Sequence, residues 1–261
     1  MRNDEIDYKI HGDDMQFVEV ELDPQETVIA EAGAVMMMDD RIRMETVFGS
    51  SSSQGGGFMD KIMGAGKRLI TGESLFITTF TNEGNGKRHV SFAAPYPGKI
   101  IPMDLTEFNG KLICQKDAFL AAARGVEIGV EFQRKLGTGF FGGEGFIMQK
   151  LEGDGMAFIH AGGTVIRKDL QPGERLKIDT GCLVAMTSTI DYNIESVRGV
   201  KTALFGGEGL FFATLEGPGS VWIQSMPFNR LASRVFSAAP VSGGSSEEKG
   251  IGGLFNLFSD R

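Results

Sequence analysis

Three glutamates recur in one setting: Glu73 in Gly-Glu-Ser, and Glu144 and Glu208 in the twice-used Phe-Gly-Gly-Glu-Gly. Like carboxylates placed by internal symmetry could converge on an axis and hold a cation or polar ligand through their oxygens. The competing reading is a Glu between glycines that tips a turn in water. Acid–base catalysis fits poorly, because separating donor from acceptor needs two unlike environments and these neighbourhoods are near copies. Gly137 to Gly142 spells G-x-G-x-x-G, but the residues that follow read as a strand and not as the helix whose N-terminus would take a pyrophosphate. Gly64-Ala65-Gly66-Lys67-Arg68 lacks the first glycine and the hydroxyl of a phosphate loop. His11, His89 and His160 are scattered, and Cys114 and Cys182 form no C-x-x-C pair, so no tetrahedral metal set is expected and the thiols read as buried and free. No G-x-S-x-G elbow supplies a serine nucleophile. The expectation is a protein without catalytic residues, metal or cofactor.

The elements that carry the glutamates repeat with them. "GEGFIMQKLEGDGMAFIHA" from Gly143 lies without a gap over "GEGLFFATLEGPGSVWIQS" from Gly207, an offset of 64 residues. A more diverged copy precedes them, with Gly72-Glu73 at the same step. Gly33 to Glu73 is 40 residues, where Asp117 to Glu144 and Gly181 to Glu208 are each 27, so this copy carries an insertion of about 13. The chain therefore reads as a first repeat over 1–95 with a Ser/Gly-rich insertion near 48–70, a second over 96–162 and a third over 163–227. A helix, linker and apolar tail fill 228–261.

The 37 glycines are about twice the usual share, with only 8 prolines and 41% hydrophobic residues among 261. That excess points to tight turns between short strands. "LEGDG" at 151–155, "LEGPG" at 215–219 and "TNEGNG" at 81–86 read as hairpin turns, since Gly supplies positive φ. Unbroken apolar runs such as Phe146-Ile147-Met148 and Leu210-Phe211-Phe212 predict strands covered on both faces. The fold class is all-β, a tandem of small sandwiches.

The threefold plan, the Gly-Glu-Ser/Gly step, "GSSSSQGGGF" followed by "GKRLITGESLF", and the Gly-rich tail resemble a family of bacterial and archaeal proteins long classed as a domain of unknown function. That family is related to a fungal mitochondrial biogenesis protein. The resemblance covers nearly the whole chain. It implies three tandem copies of the β-sandwich of the tryptophan RNA-binding attenuation protein, a short double-stranded β-helix that builds rings. It carries over no catalytic residue.

Two appendages stand outside the repeats. In the insertion, Phe58, Ile62 and Leu69 could share a helical face beside Lys61, Lys67 and Arg68, a basic amphipathic piece suited to a membrane or a partner; the competing reading is a loop packed over its own domain. After the last repeat, Phe228, Leu231, Ala232 and Val235 at i, i+3, i+4 and i+7 predict a helix packed on the third sandwich. Beyond a Ser/Gly/Glu linker, Ile251, Leu254, Phe255 and Phe258 repeat that spacing and predict contact with a partner or membrane. The net charge of −8 opposes DNA or RNA binding, and no basic residue recurs once per repeat. The charged N-terminal "MRNDEIDYKI" does not read as a signal sequence, so a cytoplasmic location is expected. These features favour a non-enzymatic scaffold or adaptor that assembles with itself as a homotrimer. The alternative is a small-molecule or RNA-binding ring.

Overall fold

The computed structural model describes residues 5–48, 76–134, 146–196 and 211–238. The first part of the chain forms β1 (Asp7–His11), β2 (Phe17–Leu22), β3 (Thr27–Glu31), β4 (Val35–Met38), β5 (Ile42–Phe48), β6 (Phe76–Asn82) and β7 (Arg88–Ala93). The middle part gives β8 (Gly98–Asp104), β9 (Lys111–Gln115), β10 (Phe119–Ala123), β11 (Glu127–Arg134), β12 (Phe146–Glu152) and β13 (Met156–Gly162). The last gives β14 (Val165–Leu170), β15 (Arg175–Asp179), β16 (Leu183–Thr187), β17 (Asp191–Ser196), β18 (Phe211–Glu216), β19 (Gly219–Gln224) and the helix α1 (Phe228–Ala238). The protein is all-β with one terminal helix.

The strands form four antiparallel sheets, and the two central ones are built jointly by successive parts of the chain. One runs β5-β6-β3-β10-β13-β8 and the other β11-β12-β9-β16-β19-β14. At one end stands the four-stranded sheet β1-β2-β7-β4, and at the other the three-stranded β15-β18-β17. The joints are β3·β10, with Ala30 opposite Ala121, and β9·β16, with Cys114 opposite Ala185. The small side chains of Ala121, Ala122 and Ala123 let the first joint close with every residue of β10 buried.

Three hydrophobic clusters fill the spaces between sheets. One gathers Val18, Val20, Leu22, Phe80, Val90, Phe92, Leu120 and Phe158. The central one spans both joints through Ile29, Leu112, Cys114, Ala122, Ile159, Val184 and Trp222. The third holds Met148, Leu170, Met186, Ile194, Leu215 and Val221. Alternation in β2, where Val18, Val20 and Leu22 are buried and Phe17, Glu19 and Glu21 are half-exposed, marks a sheet with one face in the core.

Three expectations from the sequence are corrected. The glycine turns at 81–86, 151–155 and 215–219 are not hairpins: β6 and β7, β12 and β13, and β18 and β19 lie in different sheets. These are arches that carry the chain across a sandwich. Positive φ at Gly153 and Gly219 serves an arch as well as a hairpin, so glycine marks the turn without telling which sheet the next strand joins. Among the described residues, the consecutive strands that do pair as hairpins are β1·β2, β5·β6, β11·β12 and β17·β18. Next, Phe211 and Phe212 are only half-buried, because β18 belongs to the end sheet, which among the described residues has three strands where the central sheets have six. Finally, α1 forms, but Phe228 is 53% and Val235 60% exposed, so this stripe is not sealed against the third sandwich.

Candidate functional site

The two end sheets expose the feature that sets this chain apart from a closed domain. β10 and β16 hold equivalent places, since Phe119 and Ala121 face Ile159 and Phe158 across the same bulge that separates Leu183 and Ala185 from Ile223 and Trp222. β4 repeats that bulge, with Val35 and Met37 facing Phe92 and Ser91. β3, β9 and β15 form a second equivalent set, each paired on one side to β6, β12 or β18. Each inner member of the two sets is paired with a member of the other, as β3·β10 and β9·β16. Among the described residues, β4 and β15 alone keep that edge open.

The two open edges match in chemistry. On β4, Met36, Met37 and Met38 are each nearly half exposed, and the strand runs into Asp39 and Asp40. The carboxylate of Asp40 is 82% exposed beside Arg88 at 3.5 Å. Asp39 accepts from the His89 backbone N–H at 2.8 Å, and this bond holds its carboxyl below the usual range. β15 offers Arg175 and Lys177, tied to Glu216 at 2.7 Å and Glu195 at 3.2 Å, with half-buried Leu176 and Ile178 between. β4 is thus an apolar edge ending in acids, and β15 an apolar edge carrying bases.

Beside each inner joint lies a buried polar position. At the second, Gln224 accepts from the Gly162 N–H at 2.7 Å and donates Nε2–H to the Gly181 carbonyl at 2.8 Å. His160 holds the same place at the first joint, following Ile159 as Gln224 follows Ile223. It is 2% exposed, with the Tyr96 ring edge-on at 4.4 Å. Among the described residues, neither of its ring nitrogens finds a well-formed hydrogen bond, and the Tyr96 backbone compensates only in part. Burial lowers its pKa to about 4.

An unfolded histidine titrates near 6.5. The stabilisation from the neutral buried ring is therefore present above that pH and lost as pH falls toward 4. His160→Gln removes this loss, worth up to about 3 kcal/mol from the difference between the two pKa values. The variant is expected to melt higher than the parent at pH 5 and to differ much less at pH 8. Equal shifts at both pH values would rule the linkage out.

Nearby, Glu31 ends β3 in contact with solvent, yet burial of the carboxyl and then the Asp117 charge raise its pKa to about 7. Burial, followed by the Asp117 and Glu31 charges, pushes Tyr96 up to about 12. A cleft of about 170 Å³ opens where Glu107, Phe108 and Asn109 face Thr187, Ser188 and Thr189. Its wall includes Arg167, which is held by Asp169 at 2.9 Å and Ser220 at 3.0 Å and lies 5.3 Å over Trp222.

The candidates taken from sequence fall elsewhere. Glu73, Glu144 and Glu208 lie outside the described residues, as do Phe58, Ile62, Lys67, Arg68, Leu254, Phe255 and Phe258. In sequence the glutamates fall between β5 and β6, β11 and β12, and β17 and β18, three strand pairs that lie antiparallel side by side. Cys114 is buried, and burial pushes its thiol up to about 12; Cys182 is only half-buried. Among the described residues, no three His, Cys, Asp or Glu gather as a metal set, and no helix is long and apolar enough to cross a membrane. The open edges escaped sequence reading, although the run Met36-Met37-Met38 was a visible signal where β10 carries Leu120-Ala121-Ala122 and β16 carries Val184-Ala185-Met186.

Comparison with known proteins agrees with this architecture. An uncharacterized protein of Streptococcus pyogenes serotype M6 is 30% identical over 233 residues, covering 87% of this chain and 89% of the relative. The crystal structure of a Streptococcus pyogenes protein from a structural genomics programme superposes with a TM-score of 0.68 at 23% identity, over 90% of this chain and all of that one. The family described as Mitochondrial biogenesis AIM24 matches residues 8–226, from the first strand to just before the terminal helix, and the chain belongs to that family.

Proposed function

We propose that this protein is a non-enzymatic scaffold or adaptor that closes head to tail on copies of itself. The product is a cytoplasmic homotrimer, a ring of nine attenuation-protein-like sandwich units whose surface meets another protein or a membrane face. The observation that carries this reading is the pair of unsatisfied edges, β4 and β15, whose counterparts inside the chain are all paired. An open edge with exposed apolar residues invites strand addition. A contact between two different faces of one chain either closes a ring or runs on as a filament, and a soluble product requires closure. The resemblance to ring-forming sandwiches sets the count near nine units, which three chains supply. Light scattering at micromolar concentration is expected to give three times 28.2 kDa. A stable monomer or a twofold dimer would refute the ring.

The cleft beside Arg167 favours a second reading, a ring that binds a small molecule between units. Its RNA form is opposed by the charge of −8 and by the engagement of Arg167 with Asp169 and Ser220. Mixed single-stranded RNA is expected to show no retention in filter binding at physiological salt. A salt-sensitive signal at low micromolar protein would promote the ring-binder reading over the scaffold.

A further inference from the structure

The helix α1 is turned the wrong way for a helix that serves only its own core. An amphipathic helix ordinarily lays its apolar stripe on the domain that carries it. Here the basic side is the anchored one: Arg230 Nη2 donates to Asp179 Oδ2 at 3.1 Å, fixing the helix to the last residue of β15. Phe228, Val235 and Phe236, at i, i+7 and i+8, share the other side and are 53%, 60% and 54% exposed. Leu231 and Ala232 are half-buried, and Phe228 touches the Tyr96 ring at 5.3 Å, so the helix is seated while its stripe stays open.

We propose that this stripe seats on the first sandwich of the next copy, over Met36, and clamps the seam from outside the paired strands. The inference rests on the ring reading and adds a second contact to it. Position carries the choice of occupant. The inner joints pair Ala30 with Ala121 and Cys114 with Ala185. The equivalent register at the seam sets Ile178 against Met37 of the next copy. Asp179 then stands beside Met36, which is 45% exposed among the described residues. The helix anchored on Asp179 begins where that methionine arrives. A seam holding only one strand pair would leave both apolar surfaces in water, whereas their contact removes both at once.

The test uses the full chain with Cys182→Ser as background and Phe236→Cys as the reporter, labelled with a maleimide. The comparison protein adds Arg175→Glu and Lys177→Glu to open the seam. In the assembled protein, labelling at position 236 is expected to slow at least tenfold relative to the opened one. If the reporter protein assembles as a trimer and labels as fast as the opened monomer, the clamp is wrong and the ring stands. If it is monomeric before any seam mutation, the ring reading falls and the clamp with it. Deleting residues 239–261 is expected to leave protection intact; its loss would name the tail as occupant instead. Protection that appears only after adding phosphatidylglycerol vesicles would name a membrane, and either result overturns the proposal.

Discussion

Charge reversal along β15, Arg175→Glu with Lys177→Glu, is expected to turn the assembly into a folded monomer of 28.2 kDa. Continuing the inner register places Leu176 against Asp39 of the next copy, and Arg175 against Asp40. The variant sets like charges across that pairing, which both slows encounter and destabilises the contact. Inside one chain it disrupts the ion pairs with Glu216 and Glu195 and the cation–π contact of Lys177 over Phe212, all at partly or well exposed positions, a cost of about 1 kcal/mol or less each. The core clusters hold neither residue, so the melting of the monomer should stay cooperative. A variant that keeps the parent's mass would show that β15 is not the seam.

The same register yields a covalent test. Ile178→Cys with Met37→Cys, in a Cys182→Ser background, is expected to link neighbouring chains on oxidation, because directly opposed Cβ atoms lie ~4.5–5.5 Å apart, within small adjustment of disulfide geometry. A closed trimer then runs as a covalent ring on a denaturing gel. Pairing Ile178→Cys with Met38→Cys slips the register by one residue, puts the sulfurs on opposite faces and should link poorly. Equal linking by both pairs would mean contact without the proposed strand order.

Repetition was legible in the sequence because glycine is constrained wherever the chain turns, and turns recur with the unit. The strands around "LEGDG" and "LEGPG" were read from that signal, and β12, β13, β18 and β19 lie there. The sheet each strand joins was not legible, since Gly153 has the same freedom in an arch as in a hairpin. Strand exposure was equally hidden. Met36, Met37 and Met38 are apolar like the core strands, and the pairing of edges, not their composition, reveals β4 as open. Periodicity predicted α1 correctly as a helix, but a stripe of Phe228, Leu231, Ala232 and Val235 does not say which body it faces. The orientation comes from one ion pair at Asp179, a contact between residues 51 positions apart.

A methyl group at Gly162 is expected to cost more stability than any surface change. Gly162 ends β13 opposite Gly98 of β8, where the connections between successive parts of the chain stack on one another. The Gly163 N–H donates to the Pro97 carbonyl at 3.0 Å, and the Met226 N–H to the Gly162 carbonyl at 3.2 Å. A Cβ at 162 would stand 2.0 Å from the Met226 carbonyl oxygen and 2.8 Å from Tyr96 Cε2. The first of these is backbone, held by the hydrogen bonds of the stack, so no rotamer change relieves it. Overpacking of well-packed sites costs about 1–3 kcal/mol, and a clash with fixed backbone belongs at or above the top of that range. Gly162→Ala should therefore lower the denaturation midpoint by the equivalent of about 3 kcal/mol or more. Gly173→Ala is the contrast. It imposes a left-handed φ of 77° on alanine with nothing within 4 Å of the new carbon, a strain of about 1–2 kcal/mol. Because Gln224 accepts from the Gly162 N–H, the same substitution should also loosen the joint that orders β19 and, through it, the root of α1. Urea titrations of the two variants side by side decide the matter: a Gly162→Ala midpoint at or above that of Gly173→Ala would mean that the stack of connections yields, and that the joints are not fixed by close backbone approach.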